Sequence, residues 1–142
     1  MKSTNLRSLL LVLVVATVFF GCKKKEARFI EGTWKRTKIE MRLGSNPWEE
    51  ITESCNLDDT EEYTESGNWS YYDGTNQCNP GSGIMTGTWK FAADNTKIIY
   101  TYTGIDGEYE STIESIEKKK LVLTYSSGDL LGTQYKYTYE KQ

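Results

Sequence analysis

Proton transfer near neutral pH would have to proceed here without histidine, which is absent from the chain, so the side chain best suited to that work is missing. Serines are present, but none sits in a Gly-x-Ser-x-Gly turn and no histidine is available to activate one. The carboxylates Asp58, Asp59, Glu61 and Glu62 form an acidic run that could attract calcium, yet they lack the spacing of an EF-hand loop. Such a run reads as a solvated surface, and no metal ligand set is expected. Two carboxylates could also serve glycoside hydrolysis, but nothing in the sequence brings a chosen pair to the roughly 5 to 9 Å that this chemistry needs. No catalytic residue and no cofactor are therefore expected. What remains is aromatic: Trp34, Trp48, Trp69, Trp89 and ten tyrosines could line a cavity or a sugar-binding face.

The elements that would carry those rings begin after an address segment. Leu9 to Phe20 is an uncharged, largely apolar run, preceded by Lys2 and Arg7 and closed by Gly21-Cys22 and Lys23-Lys24-Lys25. A basic start, an apolar middle and a small residue at the cut form a secretory signal. The cysteine after the small residue resembles the lipobox of bacterial lipoproteins. That resemblance implies lipidation of Cys22, cleavage after Gly21 and acylation of the new amino group. Phe19 and Phe20 depart from the leucine and small residue usual at those positions. The alternatives are another kind of cleaved signal and an uncleaved anchor, and for the anchor the run is short, since roughly 17 to 25 residues are needed to cross a bilayer. Residues 1–21 are thus read as signal peptide, 22–31 as lipidated N-terminus and charged tether, and 32–142 as one folded domain.

Removing the signal changes the charge. The chain has 17 Lys+Arg against 20 Asp+Glu, and losing Lys2 and Arg7 leaves 15 against 20, a net charge of -5. Nucleic acid is excluded as a partner, because backbone binding needs concentrated positive charge. The three lysines beside the proposed lipid read as a juxtamembrane tether. The expected place is the periplasm-facing side of the outer membrane of a Gram-negative bacterium, with the membrane engaged through the lipid. Export also bears on the cysteines. With Cys22 committed to lipid, Cys55 and Cys78 remain as an even pair where oxidation persists. A structural bridge across the mouth of the fold is expected, limiting the unfolded chain by roughly 3 to 3.5 kcal/mol on the loop-entropy estimate. The alternative of a metal or redox pair lacks histidine and a C-x-x-C spacing.

Period-two alternation dominates the rest. Ile39, Met41 and Leu43 alternate with Glu40 and Arg42, which predicts a strand with one buried face. Trp34 is out of phase with them, so a bulge near Arg36-Thr37 is expected if all four point inward. Residues 44–54 read either as a long loop with Trp48 on the core rim or as a lid built on one helical turn carrying Trp48, Ile51 and Cys55. Further strands are predicted at 61–65, 69–72, 86–91, 97–103, 108–116, 119–126 and 133–140, with turns at Gly67-Asn68, Asp73-Gly74, Asp94-Asn95, Asp106-Gly107 and Ser127-Gly128-Asp129. Along the last strands Tyr109, Ser111, Ile113 and Ser115 share a face, as do Leu121, Leu123 and Tyr125, and Tyr135, Tyr137 and Tyr139. Eight short antiparallel strands without crossovers predict an all-β, eight-stranded up-and-down barrel, which leaves no exposed sheet edge. A two-sheet sandwich is the alternative.

Four motifs in order, Gly32-Thr33-Trp34-Lys35, Cys55-Asn56-Leu57-Asp58-Asp59, Tyr72-Asp73-Gly74-Thr75 with Cys78, and Gly87-Thr88-Trp89-Lys90, resemble the small lipocalin-like domains of exported bacterial lipoproteins. The resemblance spans roughly Phe29 to Lys141 and implies a short calycin-type barrel with a disulfide. It implies no activity. The repeated Gly-Thr-Trp-Lys reads as a local device, glycine admitting the chain to the sheet and tryptophan closing an end of the core, not as a duplication. Two functional classes follow. One is non-catalytic binding of a small apolar or aromatic ligand in or at the mouth of the barrel, bordered by Trp34, Trp89, Tyr100 and Tyr137. The other is an accessory envelope protein that binds a protein or glycan through its loops, with Trp48, Tyr71 and Tyr72 as exposed anchors.

Overall fold

The computed structural model describes residues 29–78, 81 and 83–142; the expectations about residues 1–28, Cys22 among them, lie outside the described residues. Nine strands follow one another: β1 Gly32–Leu43, β2 Glu49–Glu50, β3 Thr60–Tyr63, β4 Asn68–Tyr72, β5 Ile84–Phe91, β6 Lys97–Tyr102, β7 Ile105–Ile116, β8 Lys120–Ser126 and β9 Thr133–Lys141. From β3 to β9 each strand pairs antiparallel with the next. The long first strand closes the circle. Its start, Gly32 to Lys35, pairs with β3, and Trp34 to Leu43 pairs with β9. Eight strands thus form a closed barrel, and the two residues of β2 extend β1 beyond the reach of β3.

The alternation of β1 shifts where the sequence requires it. The register with β9 slips between Arg36 and Lys38, so Trp34 and Ile39, five residues apart, are both buried. One inserted residue reverses the facing of everything beyond it, which is what a bulge does. A second slip, between Ile113 and Ser115 in β7, corrects the expected face of that strand. Beyond it Ile116, opposite Leu121, packs on the core in place of Ser115.

One other expectation is corrected, and one pair of alternatives is decided. Asp106 and Gly107 lie inside β7; the chain turns at Thr103-Gly104, where Gly104 has φ 81° and Tyr102 pairs with Ile105. A two-residue hairpin favours a residue that accepts positive φ, and Gly104 supplies it. Residues 44–54 do not form a helical lid. Ile51 N donates to Ile39 O at 2.9 Å and Ile39 N to Thr52 Oγ1 at 2.9 Å, so the segment runs along β1 as an added edge before a 3-10 turn at Ser54–Asn56.

One end of the barrel is packed shut. Ile30, Trp34, Tyr63, Trp69, Ile98, Leu121 and Tyr139 are buried there and in the adjoining centre. Trp34 is wholly buried and donates its indole N–H to Ile30 O at 2.6 Å, so the residues entering β1 act as the plug. Lys141 ties the other terminus to it, its Nζ donating to Phe29 O at 2.9 Å and lying 5.1 Å from the Trp34 ring centre. Tyr63 and Trp89 meet edge to face at 5.5 Å, and Trp89 and Phe91 at 5.3 Å, the arrangement ring quadrupoles favour. The glycine of the second Gly-Thr-Trp-Lys has its own reason. A Cβ on Gly87 would stand 1.7 Å from Thr101 O, so no other residue lets β5 approach β6 so closely.

Candidate ligand cavity

The inward face of each strand changes character from the closed end toward the open one. On β3 the inward sequence is Tyr63, Glu61 and then Asp59, just before the strand; on β1 Arg36 follows Trp34. A carboxylate at 7 % exposure and another at 2 % are thereby set inside the barrel wall, beside a guanidinium whose side chain is 11 % exposed. Buried charges need partners, and these have them. Glu61 Oε2 accepts from Tyr63 Oη at 2.7 Å and Trp69 Nε1 at 3.2 Å, and Oε1 accepts from Tyr139 Oη at 2.6 Å. Arg36 Nη1 donates to Asp59 Oδ2 at 2.6 Å, and Nη2 lies 3.8 Å from Glu61 Oε1. Asp59 also accepts from Tyr71 Oη at 2.9 Å and Gly74 N at 3.2 Å.

Above this charged layer the barrel is open. A cavity of about 430 Å³ is bordered by Arg36, Asp59 and Glu61, by Tyr71, Tyr102, Tyr125 and Tyr137, and toward the mouth by Asn56, Asp73, Cys78 and Met85. That volume is in the range of small-molecule sites. The guanidinium is stacked among rings, its carbon 4.9 Å from the centre of Tyr137, 5.4 Å from Tyr71 and 5.9 Å from Tyr139. Burial works against the Arg36 charge, but Tyr139, Glu61, Asp59 and Tyr71 outweigh it and hold the group more firmly protonated than usual. Burial pushes the phenols of Tyr63, Tyr100 and Tyr139 well above their ordinary range, and, with Glu61, lifts Tyr102 to about 12. At neutral pH they are donors, not phenolates. Burial likewise raises the Asp59 carboxyl, against the hydrogen bonds from Gly74 and Tyr71 and the charge of Arg36.

Cys55 and Cys78 form a disulfide, with Cα atoms 5.2 Å apart. Cys78 borders the cavity, so the bridge joins the 3-10 turn to the β4–β5 loop at the mouth. The same loop is held by Asp58, whose Oδ2 accepts from Thr75 Oγ1 at 3.1 Å and Asn76 N at 3.0 Å. Among the described residues the one cluster of metal-type groups is Glu53, Cys55 and Cys78, and both its sulfurs are bonded to each other.

The expected ligand-lining residues divide. Tyr100 and Tyr137 border the cavity. Trp34 and Trp89 instead fill the closed end, Trp89 donating to Thr64 O at 3.1 Å. The expected exposed anchors divide as well. Tyr72 is 37 % exposed on the outer face, whereas Tyr71 points inward onto Asp59, which removes it from the outer surface. Trp48 is half-buried against the outside of β1 and β9, with the Arg42 guanidinium 4.4 Å and Lys136 Nζ 4.0 Å from its ring. The acidic run is also corrected: Asp59 and Glu61 are interior, not solvated. The sequence does not reveal their interior role, nor that of Arg36 and Asp73, although Asp59, Glu61 and Tyr63 share the period-two spacing of one strand face.

No protein-family model matches this chain, and a search of curated proteins gives no match. Among solved structures, the chain is similar to a DUF4847 family protein from Bacteroides vulgatus at 12 % identity and TM-score 0.52, over 82 % of this chain and 98 % of that one. A lipocalin-like protein from Bacteroides uniformis aligns at 12 % identity and TM-score 0.49, over 80 % of this chain and 99 % of that one. At such identity the likeness is one of fold. The barrel of eight antiparallel strands, closed by β1 and sealed at one end by Trp34, is thus similar in fold to the Bacteroides vulgatus protein.

Proposed function

We propose that this protein is a non-catalytic binding protein of the bacterial envelope that takes a small ligand into the open end of its barrel. The observation that carries this reading is the cavity of about 430 Å³ walled by Tyr71, Tyr102, Tyr125 and Tyr137. A barrel of this size can fill its interior with side chains; this one does so only in its lower half. Neutral phenols and paired carboxylates supply recognition, and no nucleophile with an activating base stands among them.

The test is titration with N-phenyl-1-naphthylamine, an uncharged arene that brightens in apolar surroundings. Residues 22–142, which contain every described strand, should bind it saturably with one site. Ser111→Phe, which places a ring where Ser111 borders the cavity, should abolish binding while circular dichroism shows the barrel intact. Met85→Trp blocks the mouth if the first variant fails to fold. Unsaturable binding, or binding indifferent to both variants, would overturn the reading.

The envelope assignment rests on the lipobox-like segment ending at Cys22. Replacing Cys22 with serine should abolish lipid attachment and release the protein from the membrane fraction. A variant still processed and membrane-bound would remove the anchor. Recognition of a protein or glycan through the loops has less support, since Trp48 is covered by Arg42 and Lys136 and Tyr71 is inside.

A further inference from the structure

The polarity of the interior runs opposite to what a purely apolar ligand would need. The charged layer of Arg36, Asp59 and Glu61 lies at the bottom of the open cavity, while large apolar side chains stand exposed at its rim. Register places Leu43 opposite Thr133, Met85 opposite Tyr71, and Ile105 opposite Tyr102, so all three project to the inner side of the mouth. They are 42 %, 40 % and 54 % exposed. Beside them the β8–β9 hairpin presents Leu130 at 106 % and Leu131 at 70 %. Exposed apolar groups scattered over a surface need no explanation, but these are gathered at one end of the barrel, around one opening.

The charged layer also has hydrogen-bonding capacity left over. Arg36 Nε is buried with no hydrogen-bond partner, and Nη2 reaches Glu61 only at 3.8 Å. Buried donors without acceptors are uncommon in folded proteins. The lining carries one guanidinium against the three carboxylates of Asp59, Glu61 and Asp73, so an added anion would meet excess negative charge.

We propose that the cavity takes an amphiphile head-first: an uncharged, hydroxyl- or amide-bearing headgroup on the Arg36–Asp59–Glu61 layer, with its alkyl tail leaving across Leu43, Met85, Ile105 and the Leu130–Leu131 tip. This rests on the ligand-binding reading above and adds orientation and headgroup class. A headgroup that both donates and accepts matches a layer offering guanidinium and phenol donors beside carboxylate acceptors. The tail matches a rim that otherwise leaves apolar surface in water.

The experiment is calorimetric titration of residues 22–142 at pH 7 with octyl glucoside, hexyl glucoside, glucose and sodium octanoate, all below micelle formation. Octyl glucoside should bind one to one, about threefold to tenfold tighter than hexyl glucoside for two partly buried methylenes, and at least about tenfold tighter than octanoate. Leu130→Ser with Leu131→Ser, both at exposed positions, should erase most of the octyl-over-hexyl gain. Octanoate binding as tightly as octyl glucoside would overturn the headgroup assignment. Glucose binding as tightly, or a chain-length gain untouched by the double variant, would overturn the tail assignment. Naphthylamine binding with no glucoside binding sinks this inference alone; loss of both sinks the ligand-binding reading too.

Discussion

Arg36 and Asp59, separated by 23 residues in the chain, meet inside the barrel wall with Nη1 2.6 Å from Oδ2. Each is held from other sides as well, Arg36 by the rings of Tyr71, Tyr137 and Tyr139 and Asp59 by Tyr71 Oη and Gly74 N. The pair therefore joins β1 and the start of β3 to the β4–β5 loop. A buried ion pair adds little over a well-packed apolar pair, but losing one partner strands the other charge.

Asp59→Asn should accordingly lower unfolding free energy by about 3 kcal/mol, and Arg36→Met by a similar amount. The double variant should cost clearly less than the two singles together, because neither charge is then left alone. Urea unfolding of the four proteins measures this; strict additivity would show that the contact contributes nothing of its own.

Removing the Cys55–Cys78 bridge as the double serine variant should cost about 3 kcal/mol, given its 23-residue separation. The loop at 73–78 should lose more hydrogen-exchange protection than the closed end does, since Trp34 and Ile30 lie at the opposite end of the barrel from the bridge. Two free thiols in non-reducing peptide maps of the wild-type protein would contradict the bridge itself.

Trp34→Phe keeps a ring at the sealed end but leaves Ile30 O without the indole donor now at 2.6 Å. An unsatisfied buried carbonyl and the smaller ring together should cost about 2 kcal/mol. Protection of the Ile30 and Glu31 amides should fall with it, because that hydrogen bond helps to fasten the plug alongside the one from Lys141 to Phe29 O. Unchanged thermal stability would mean that the indole N–H contributes nothing to holding the plug.

The Asp129 carboxyl is held down to about 2 by Thr133, through both its hydroxyl and its backbone N–H, then by Ser127 and Leu131. Its Oδ1 accepts from Thr133 N at 2.9 Å and Leu131 N at 3.1 Å, shaping the hairpin that carries the Leu130–Leu131 tip. A carboxyl depressed on folding contributes stability above its unfolded value of 3.8, lost as pH falls through about 2. Asp129→Ala should thus melt below the wild type at pH 7, with the gap narrowing between pH 4 and pH 2. A gap independent of pH would place its origin outside the carboxylate charge.

Much of the barrel is legible in the chain because half-buried antiparallel strands write their period into the sequence. The Tyr135–Tyr137–Tyr139 and Leu121–Leu123–Tyr125 alternations fix the facing of β9 and β8, and the broken phase between Trp34 and Ile39 announces the bulge at Arg36. The bridge, too, follows from cysteine count and the proposed export. The site is less legible. Asp59 and Glu61 look like part of a solvated acidic run until Arg36, Tyr139 and Trp69 arrive from 23, 78 and 8 residues away to pair with them. A carboxylate's own neighbours in sequence say which face it shares, not whether that face meets water or a guanidinium. That depends on closure of β1 onto both β3 and β9. The same closure seats Trp34 and Trp89 in the sealed end and Tyr102 and Tyr137 in the open one, a division that residue type cannot express. Local spacing is a property of one strand, whereas burial of charge and the position of a cavity arise only where eight strands meet.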